Sequence, residues 1–360
     1  MERAQRILFS SEIEKPYIVS MAALLEVRGL TVELPTAGGW VRPVNDVSLH
    51  IEAGEALGLV GESGSGKTML SLALMGLLPE GARATGEAWL AAESAANGGA
   101  TNGRKNLLAL NERELQSVRG REMGMVFQEP MTSLNPVMRV GAQIEEAIRA
   151  HEPSLSRKDA AARVLAALER AAVPEPKVRA AQFPHQLSGG LRQRAMIAMA
   201  LAGGSHYTGK EASAGPRLLI ADEPTTALDV TVQKQVLELL DRLRRELRLG
   251  LLFITHDLGV VAQVADRLAV MYAGRIIEEG PAREVLLHPR HPYAEGLLEA
   301  SPKLRRSKLK PIPGNVPRLD ALPPGCAFEP RCPVRRAECT AAVPELRAAS
   351  ADHRARCILV

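Results

Sequence analysis

The pattern of apolar and polar positions divides the chain into regions of strand and helix. Positions 23–60 alternate in character, with a first strand at 22–29 and a buried strand at Ala56–Val60. Apolar spacing of three and four predicts helix over Thr68–Leu78 and over most of 110–200. Strands and helices then alternate: strand Leu218–Ala221, helix Val232–Leu247, strand Leu251–Thr255, a helix near Leu258–Ala265 and strand Arg267–Tyr272. This order predicts an α/β fold with a parallel sheet, interrupted by a helical insertion.

Loosely patterned stretches separate these regions. Residues 92–104 and 203–216 are rich in small and polar residues, which predicts flexible insertions. Residues 1–21 lack the continuous apolar segment of a secretion signal, so we expect a disordered tail, with Met1 or Met21 as the true start. Beyond Pro302 the chain is proline-rich, and an irregular segment is expected there.

Composition narrows the classes of function. Aromatic residues make up only 3% of the chain, which argues against stacking platforms for single-stranded nucleic acid. The net charge of +4 is small for 360 residues, so no nucleic-acid partner is expected. No apolar run approaches the roughly 20 residues that span a membrane, so any link to a membrane is expected to pass through another protein.

One segment has the composition of a phosphate-binding loop. Small residues allow successive backbone N–H groups to surround phosphates, and the following helix start favours anions. A lysine would reach the β- and γ-phosphates of ATP, and a threonine hydroxyl would bind Mg²⁺. A simple glycine turn is the alternative interpretation. The segment is Gly61, Glu62, Ser63, Gly64, Ser65, Gly66, Lys67 and Thr68.

Two acidic residues follow the predicted strand Leu218–Ala221. Asp222 is placed to hold Mg²⁺, and Glu223 is the candidate general base for the attacking water. Acids after a buried strand also occur as ordinary helix caps. The phosphate-binding loop elsewhere in the chain favours the catalytic interpretation.

A second helix start carries Ser188, Gly189 and Gly190. Two anion-binding helix starts with a single lysine-bearing loop suggest a nucleotide shared between two chains. With these motifs the sequence resembles the ABC ATPase family. The resemblance implies a P-loop NTPase core of RecA type, with an antiparallel β subdomain and a helical subdomain at about 129–200. It also implies that Ser188 closes over ATP held by a partner chain.

The resemblance assigns further residues. Gln128 matches the glutamine that senses Mg²⁺ and the attacking water, and His256 matches the histidine that contacts the γ-phosphate. Asp229, in Ala227–Asp229, matches the loop that crosses to the partner ATPase. Family members also stack adenine on an aromatic residue, where this chain has Leu34 at the aligned position and Trp40 nearby. Either Trp40 replaces that aromatic residue or adenine rests on an aliphatic surface.

Several segments resemble the dipeptide, oligopeptide and nickel importer branch of this family. They are Met131–Pro136, Thr225–Thr231, His291–Tyr293, Ile312–Gly314 and a cysteine-containing tail. The branch implies an ATPase domain at 22–296 and a C-terminal extension at 297–360. It further implies a related second ATPase, two permeases and an extracytoplasmic substrate-binding protein. The chain would then energise uptake of peptides or a similar small solute from the cytoplasmic face of the inner membrane.

All four cysteines lie in the last 35 residues: Cys326, Cys332, Cys339 and Cys357. Their spacing fits neither zinc ribbons nor the common ferredoxin pattern. Disulfides are disfavoured because an ATPase that meets cytosolic ATP lies in a reducing compartment. The branch resemblance favours a 4Fe–4S cluster, with Zn²⁺ or no metal as alternatives.

The sequence argues against two functions other than the importer ATPase. A soluble ABC ATPase acting on nucleic acid or ribosomes predicts long coiled-coil insertions or two ATPase units, and neither is present in the sequence. A non-hydrolysing subunit predicts loss of Lys67, Glu223 or His256, and all three are retained.

Overall fold

The structure, a computed structural model, describes residues 23–91, 103–129, 133–204, 215–226, 228–301 and 310–360. The chain forms two compact units. The first contains residues 1–52, 56–109 and 253–360, and the second contains residues 53–55 and 110–252. The expected tail at 1–21 lies outside the described residues, as does most of both predicted insertions.

The elements follow in chain order as β1 (Leu25–Thr36), β2 (Gly39–Ile51), β3 (Ala56–Val60), α1 (Lys67–Met75), β4 (Arg83–Ala91), β5 (Arg104–Asn106), α2 (Glu112–Val118), β6 (Met123–Val126), α3 (Val140–Arg149), α4 (Arg157–Arg170), α5 (Pro176–Ala180), α6 (Gly189–Ala202), β7 (Leu218–Asp222), α7 (Val230–Leu247), β8 (Gly250–Thr255), α8 (Leu258–Val264), β9 (Arg267–Tyr272), β10 (Arg275–Pro281), α9 (Ala282–Leu287), α10 (Pro292–Ala300), β11 (Arg347–Ser350) and β12 (His353–Ala355).

The first unit contains an antiparallel sheet in the order β2-β1-β4-β5. Leu25 of β1 lies opposite Ile51 of β2 and Leu90 of β4, and all three side chains are buried. Alternation along β1 sends every second side chain into this core, which is why the sequence alternates there. The predicted antiparallel element is therefore present.

A second set of paired strands supports the phosphate-binding loop in the first unit. β3 pairs with β9 in parallel, and β9 pairs with β10 in antiparallel fashion. The C-terminal ribbon β11-β12 extends this arrangement, because β12 pairs with β10. All five residues of β3 are buried, so their continuous apolar run fits a strand covered on both faces.

The second unit combines a parallel strand pair with a helical core. Met123 of β6 lies opposite Leu218 of β7. Helices α3, α4 and α6 pack around a shared apolar core whose members include Ile144, Leu168 and Ala198. The helical insertion predicted from apolar spacing is thus present in this unit.

The sequence prediction was right about the fold class and wrong about three short strands. The α/β fold is confirmed, and the bounds of β3 and β9 are as predicted. β6 lies within the region predicted to be mostly helical, and β11 and β12 lie within the tail predicted to be irregular. Among the described residues, no helix combines the length and apolar character needed to span a bilayer.

Candidate active site

The phosphate-binding loop connects β3 to α1, as the sequence predicts. Gly66 has a φ of 107°, and a Cβ there would lie 1.9 Å from the carbonyl oxygen of Pro43. Only glycine fits this combination of left-handed backbone and close approach. Ser63, Gly64 and Thr68 are exposed.

Lys67 lies across the loop rather than extending into solvent. Its Nζ donates to the carbonyl oxygens of Gly61 at 2.8 Å and Glu62 at 3.0 Å, and to Ser65 Oγ at 3.2 Å. The side chain is almost completely buried. These contacts hold the ammonium group at the loop, where it can meet a phosphate.

The loop's second residue has a role that the sequence did not suggest. The backbone N–H of Glu62 donates to the hydroxyl of Tyr293 at 2.8 Å. The Glu62 carboxylate accepts hydrogen bonds from the guanidinium of Arg331 at 2.7 and 3.0 Å. Neither partner carried a functional prediction, because both lie more than 200 positions away in sequence.

His256 lies in the first unit, directly after β8, and its side chain is exposed. The next residue, Asp257, caps α8 by accepting from Gly259 N at 2.9 Å. Its own backbone N–H donates to Thr255 Oγ1 at 3.1 Å. This turn fixes the backbone on both sides of His256 and leaves the imidazole accessible.

The second unit brings Glu223 and Gln128 together. Gln128 Nε2 donates to Glu223 Oε2 at 3.2 Å, and Thr226 Oγ1 donates to the same oxygen at 2.9 Å. Glu223 has a left-handed backbone with φ 47°, which is unusual for a residue other than glycine. The preceding Asp222 ends β7 and is buried. Thr226 was not identified as a site residue from the sequence.

The segment with Ser188 begins helix α6. Ser188 caps this helix by accepting from Leu191 N at 3.4 Å, and both Ser188 and Gly189 are exposed. A Cβ on Gly190 would lie 2.5 Å from Val232 Cγ1, so this glycine allows α6 to approach α7 closely.

Asp229 caps α7 by accepting from the N–H groups of Thr231 and Val232, each at 3.0 Å. Its side chain is exposed, and the following Val230 is 73% exposed. Ala227, predicted as part of the same crossing loop, lies outside the described residues. Asp229 therefore orders an accessible turn at the helix start.

Trp40 is one of the two candidates for stacking adenine. It lies near the β1-β2 turn, opposite Pro35, and it is 45% exposed. The guanidinium of Arg83 lies 4.2 Å from the centroid of its ring. Leu34, the other candidate, is partly buried in β1.

The four cysteines are free thiols within the C-terminal extension. Cys326 N donates to the carbonyl oxygen of Cys339 at 2.8 Å. Burial raises the pKa of the Cys326 thiol, and the neighbouring thiols of Cys339, Cys357 and Cys332 raise it further. Within the described parts of the chain, no group of three or more His, Cys, Asp or Glu side chains is arranged to hold a metal ion.

Comparison with known families gives two matches. The family model described as ABC transporter matches residues 44–226. The model described as oligopeptide/dipeptide transporter, C-terminal region, matches residues 277–339. The second match contains Cys326, Cys332 and Cys339.

Individual relatives are similar over most of the chain. A putative peptide import ATP-binding protein of Brucella ovis is 47% identical, over 94% of this chain and 98% of the relative. The oligopeptide transport ATP-binding protein OppD of Salmonella typhimurium is 47% identical, over 89% of each chain. OppD of Bacillus subtilis is 48% identical, over 86% of this chain and 82% of the relative.

Solved structures support the same assignment. The dimeric structure of MJ0796, a bacterial ABC transporter cassette, has a TM-score of 0.58 and 28% identity, over 72% of this chain and 99% of that one. Its post-hydrolysis state with ADP and Pi gives the same TM-score at 27% identity. The chain belongs to the ABC transporter family, as an ATP-binding protein that carries the C-terminal region of oligopeptide and dipeptide transporters.

Proposed function

We propose that this chain hydrolyses ATP to drive uptake of di- or oligopeptides, with Glu223 as the general base. The observation that carries the catalytic assignment is the pair of hydrogen bonds that Gln128 and Thr226 donate to Glu223 Oε2. These bonds restrict the orientation of the carboxylate, which would in turn orient a water for attack. The names of the Brucella and OppD relatives support peptides as the solute and favour an importer over an ATPase acting on nucleic acid.

The nucleotide would be bound by residues 61–68, with Lys67 at the β- and γ-phosphates. Mg²⁺ would be held by Thr68, Asp222 and Gln128, since hydroxyl, carboxylate and amide oxygens suit this ion. The ion would supply charge neutralisation on the phosphates. His256 would contact the γ-phosphate from the turn after β8.

The wider assembly is inferred from the family branch. The chain would lie at the cytoplasmic face of the inner membrane, held by two permease subunits, and work with a substrate-binding protein. A second ABC ATPase, related but distinct, would complete the pair. The division into an ATPase domain at 22–296, with its helical subdomain at about 129–200, and an extension at 297–360 belongs to the same proposal.

The four cysteines would bind a 4Fe–4S cluster, with Zn²⁺ as the alternative. Support comes from the thiol ligand type and from the contact between two of the cysteines, since Cys326 N donates to the carbonyl oxygen of Cys339 at 2.8 Å. The described side chains nevertheless form no ready coordination group. Metal binding would require thiolates, and therefore release of protons and a shift of the side chains. Iron, zinc and sulfide analysis of anaerobically purified protein tests this, and absence of both metals would refute it.

The general base is tested by Glu223→Gln. This variant is expected to bind MgATP normally and to lower the rate of phosphate release by about 10²- to 10⁴-fold, as loss of a positioned base does. Glu238→Gln is a matched control, because Glu238 is an exposed helix residue paired with Lys234. Hydrolysis by Glu223→Gln at the wild-type rate would contradict the assignment.

Transport is tested in cells that lack this gene. Wild-type protein is expected to restore uptake of a labelled tri- or tetrapeptide, while Glu223→Gln is expected to restore none. Unchanged peptide uptake in the deletion strain, with the genome's other peptide importers also deleted, would show that the solute is not a peptide.

A further inference from the structure

The C-terminal extension contacts the phosphate-binding loop through one arginine. Arg331 Nη1 donates to Glu62 Oε2 at 2.7 Å, and Nη2 donates to Glu62 Oε1 at 3.0 Å. Both oxygens of the carboxylate are thus engaged by one guanidinium. Such paired contacts fix direction as well as distance. A residue that follows β10 by 50 positions therefore defines where the second residue of the loop lies.

The surroundings of Arg331 hold its guanidinium in place. The side chain is 4% exposed. Its Nε donates to the carbonyl oxygen of Pro313 at 2.9 Å, and Nη1 also donates to the Tyr272 hydroxyl at 3.3 Å. The rings of Tyr272 and Phe328 lie 5.8 and 5.9 Å from its central carbon. The guanidinium is therefore positioned by several groups besides Glu62.

Glu62 is held at its backbone as well. Its N–H donates to the hydroxyl of Tyr293, and the Tyr293 ring packs against Tyr272 at 4.5 Å and Phe328 at 5.3 Å. The same aromatic cluster thus contacts Arg331 and supports the loop. The main-chain carbonyl oxygen of Glu62 accepts a hydrogen bond from Lys67 Nζ at 3.0 Å.

The extension is attached to the first unit at other points. β12 pairs with β10, and the backbone N–H of Arg356 donates to Ile277 O at 2.7 Å. His353 Nε2 lies 2.7 Å from Glu278 Oε1, and both side chains are buried. Since these contacts do not involve the loop, the extension has an anchorage from which Arg331 can act on Glu62.

We infer that Arg331 is a positioning residue for ATP binding. Arg331 holds Glu62 in place, and the loop carbonyl oxygens thereby keep the orientation in which they bind Lys67. This inference rests on the proposed nucleotide site at 61–68. It gives the extension a function in nucleotide affinity that is separate from any metal bound by its cysteines. Arg331 itself does not need to touch the nucleotide.

Substitution of Arg331 tests this role in the full-length chain. Arg331→Met removes the guanidinium and is expected to raise the Kd for MgATP about tenfold, the usual effect of losing a hydrogen bond to a charged group. Arg331→Lys retains one charged contact but not the paired geometry, so an intermediate Kd is expected. Arg318→Met is the matched control, because Arg318 lies in the same extension and is 82% exposed.

A double-mutant cycle shows whether the effect passes through Glu62. In a Glu62→Gln background, Arg331→Met is expected to change the Kd less than about twofold, because the charged pair is already broken. The double variant also leaves no partly buried carboxylate without its partner, so it remains informative if Arg331→Met alone folds poorly. A full tenfold effect in the Glu62→Gln background would overturn the inference.

Two further measurements separate the possible failures. Thermal unfolding reports a general loss of stability, and a merely structural role would lower the melting temperature while leaving the Kd of the folded protein unchanged. Lys67→Ala tests the nucleotide site itself. If Lys67→Ala abolishes MgATP binding but Arg331→Met matches wild type, only the role of Arg331 fails. If Lys67→Ala binds MgATP normally, the site assignment fails as well.

Discussion

Gln128 and Thr226 both contact the Glu223 carboxylate, and only Gln128 was predicted from the sequence. Thr226 donates to the same carboxylate oxygen at 2.9 Å, and the left-handed backbone of Glu223 places the two residues close together. Thr226→Val keeps the shape of the side chain but removes this donor. Its kcat is expected to fall roughly tenfold with little change in KM, because the hydrogen bond positions the base rather than the nucleotide. Steady-state phosphate release measures both constants.

The matched control for this prediction is Thr340→Val. Thr340 also uses its hydroxyl in a local hydrogen bond, to the carbonyl oxygen of Ala337, but it lies in the C-terminal extension. Its substitution is expected to leave kcat unchanged. A normal kcat in Thr226→Val would show that this hydroxyl does not position the carboxylate.

Trp40 makes the open question of adenine recognition testable. With 45% of its surface exposed, this side chain is the more accessible of the two candidates. If adenine stacks on it, Trp40→Ala is expected to weaken ATP binding about tenfold, since base stacking contributes ~1–3 kcal/mol. Trp40→Phe retains an aromatic face and is expected to bind nearly as well. Binding of inorganic triphosphate, which has no base, should be the same in all three proteins.

An equal Kd for ATP in Trp40→Ala and wild type would instead favour the aliphatic surface around Leu34. In that case Leu34→Ala is the variant expected to weaken ATP binding. Competition between ATP and inorganic triphosphate separates a loss of adenine binding from a general change in the phosphate-binding loop. A general change would weaken binding of both ligands, whereas a loss of adenine binding would weaken binding of ATP alone.

The predictability of the site residues depended on how local their geometry is. The loop around Gly66 and the helix caps Ser188 and Asp229 are set by neighbours in sequence, and their local geometry follows from the motif. The contacts of Glu62 with Tyr293 and Arg331 join residues 231 and 269 positions apart. No periodicity or spacing in a single sequence encodes such contacts.

At the level of elements, length and exposure decided which predictions held. The continuous apolar runs of β3 and β9 were predicted with the correct bounds. β6 has only four residues, and a short apolar run next to helices cannot be told from helix by its periodicity. β11 is mostly exposed, and the ribbon it forms with β12 depends on pairing with β10. Tertiary contacts, not local pattern, create this ribbon.

The start of α10 predicts a measurable pH dependence. His291 caps this helix by accepting from Tyr293 N at 3.0 Å, and burial lowers the pKa of its imidazole to about 3 from an ordinary 6.5. The folded protein therefore holds a neutral imidazole that the unfolded chain protonates below about pH 6.5. The stability associated with this group is present above pH 6.5 and is lost as the pH falls toward 3.

His291→Asn is the variant that isolates this effect. Asparagine retains a cap acceptor but does not titrate. As the pH falls from 6.5 to 4.5, the free energy of unfolding of this variant is expected to decrease less steeply than that of the wild type. The two slopes differ by up to about 1.4 kcal/mol per pH unit. Glu278 accepts from His291 N at 2.7 Å, and burial raises the pKa of its carboxyl group. Protonation of Glu278 therefore increases the free energy of unfolding as the pH falls, and it does so in both proteins. Urea unfolding at several pH values gives the two slopes, and parallel slopes would contradict the prediction.

At the scale of the whole molecule, the exposed helix starts of the second unit suggest a shared nucleotide site. Ser188 and Gly189 lie at the accessible start of α6, and Asp229 and Val230 at the accessible start of α7. We expect these residues to contact ATP and the loop of a companion ATPase, either a second copy or a related chain.

Ser188→Arg tests this sharing of ATP in a Glu223→Gln background, where bound ATP is not consumed. Wild-type Ser188 is expected to give an ATP-dependent dimer in sedimentation velocity, with the chain alone or with a companion ATPase produced beside it. The bulky cation should abolish the dimer while each chain still binds MgATP, since losing one helix cap costs only about 1 kcal/mol. Ser156→Arg removes the cap of α4 in the same unit and should leave dimerisation intact. An arginine at position 188 could not be accommodated against the partner's triphosphate and the loop that holds it. Dimers that form equally well with Ser188→Arg would therefore show that this helix start does not close over the partner's nucleotide.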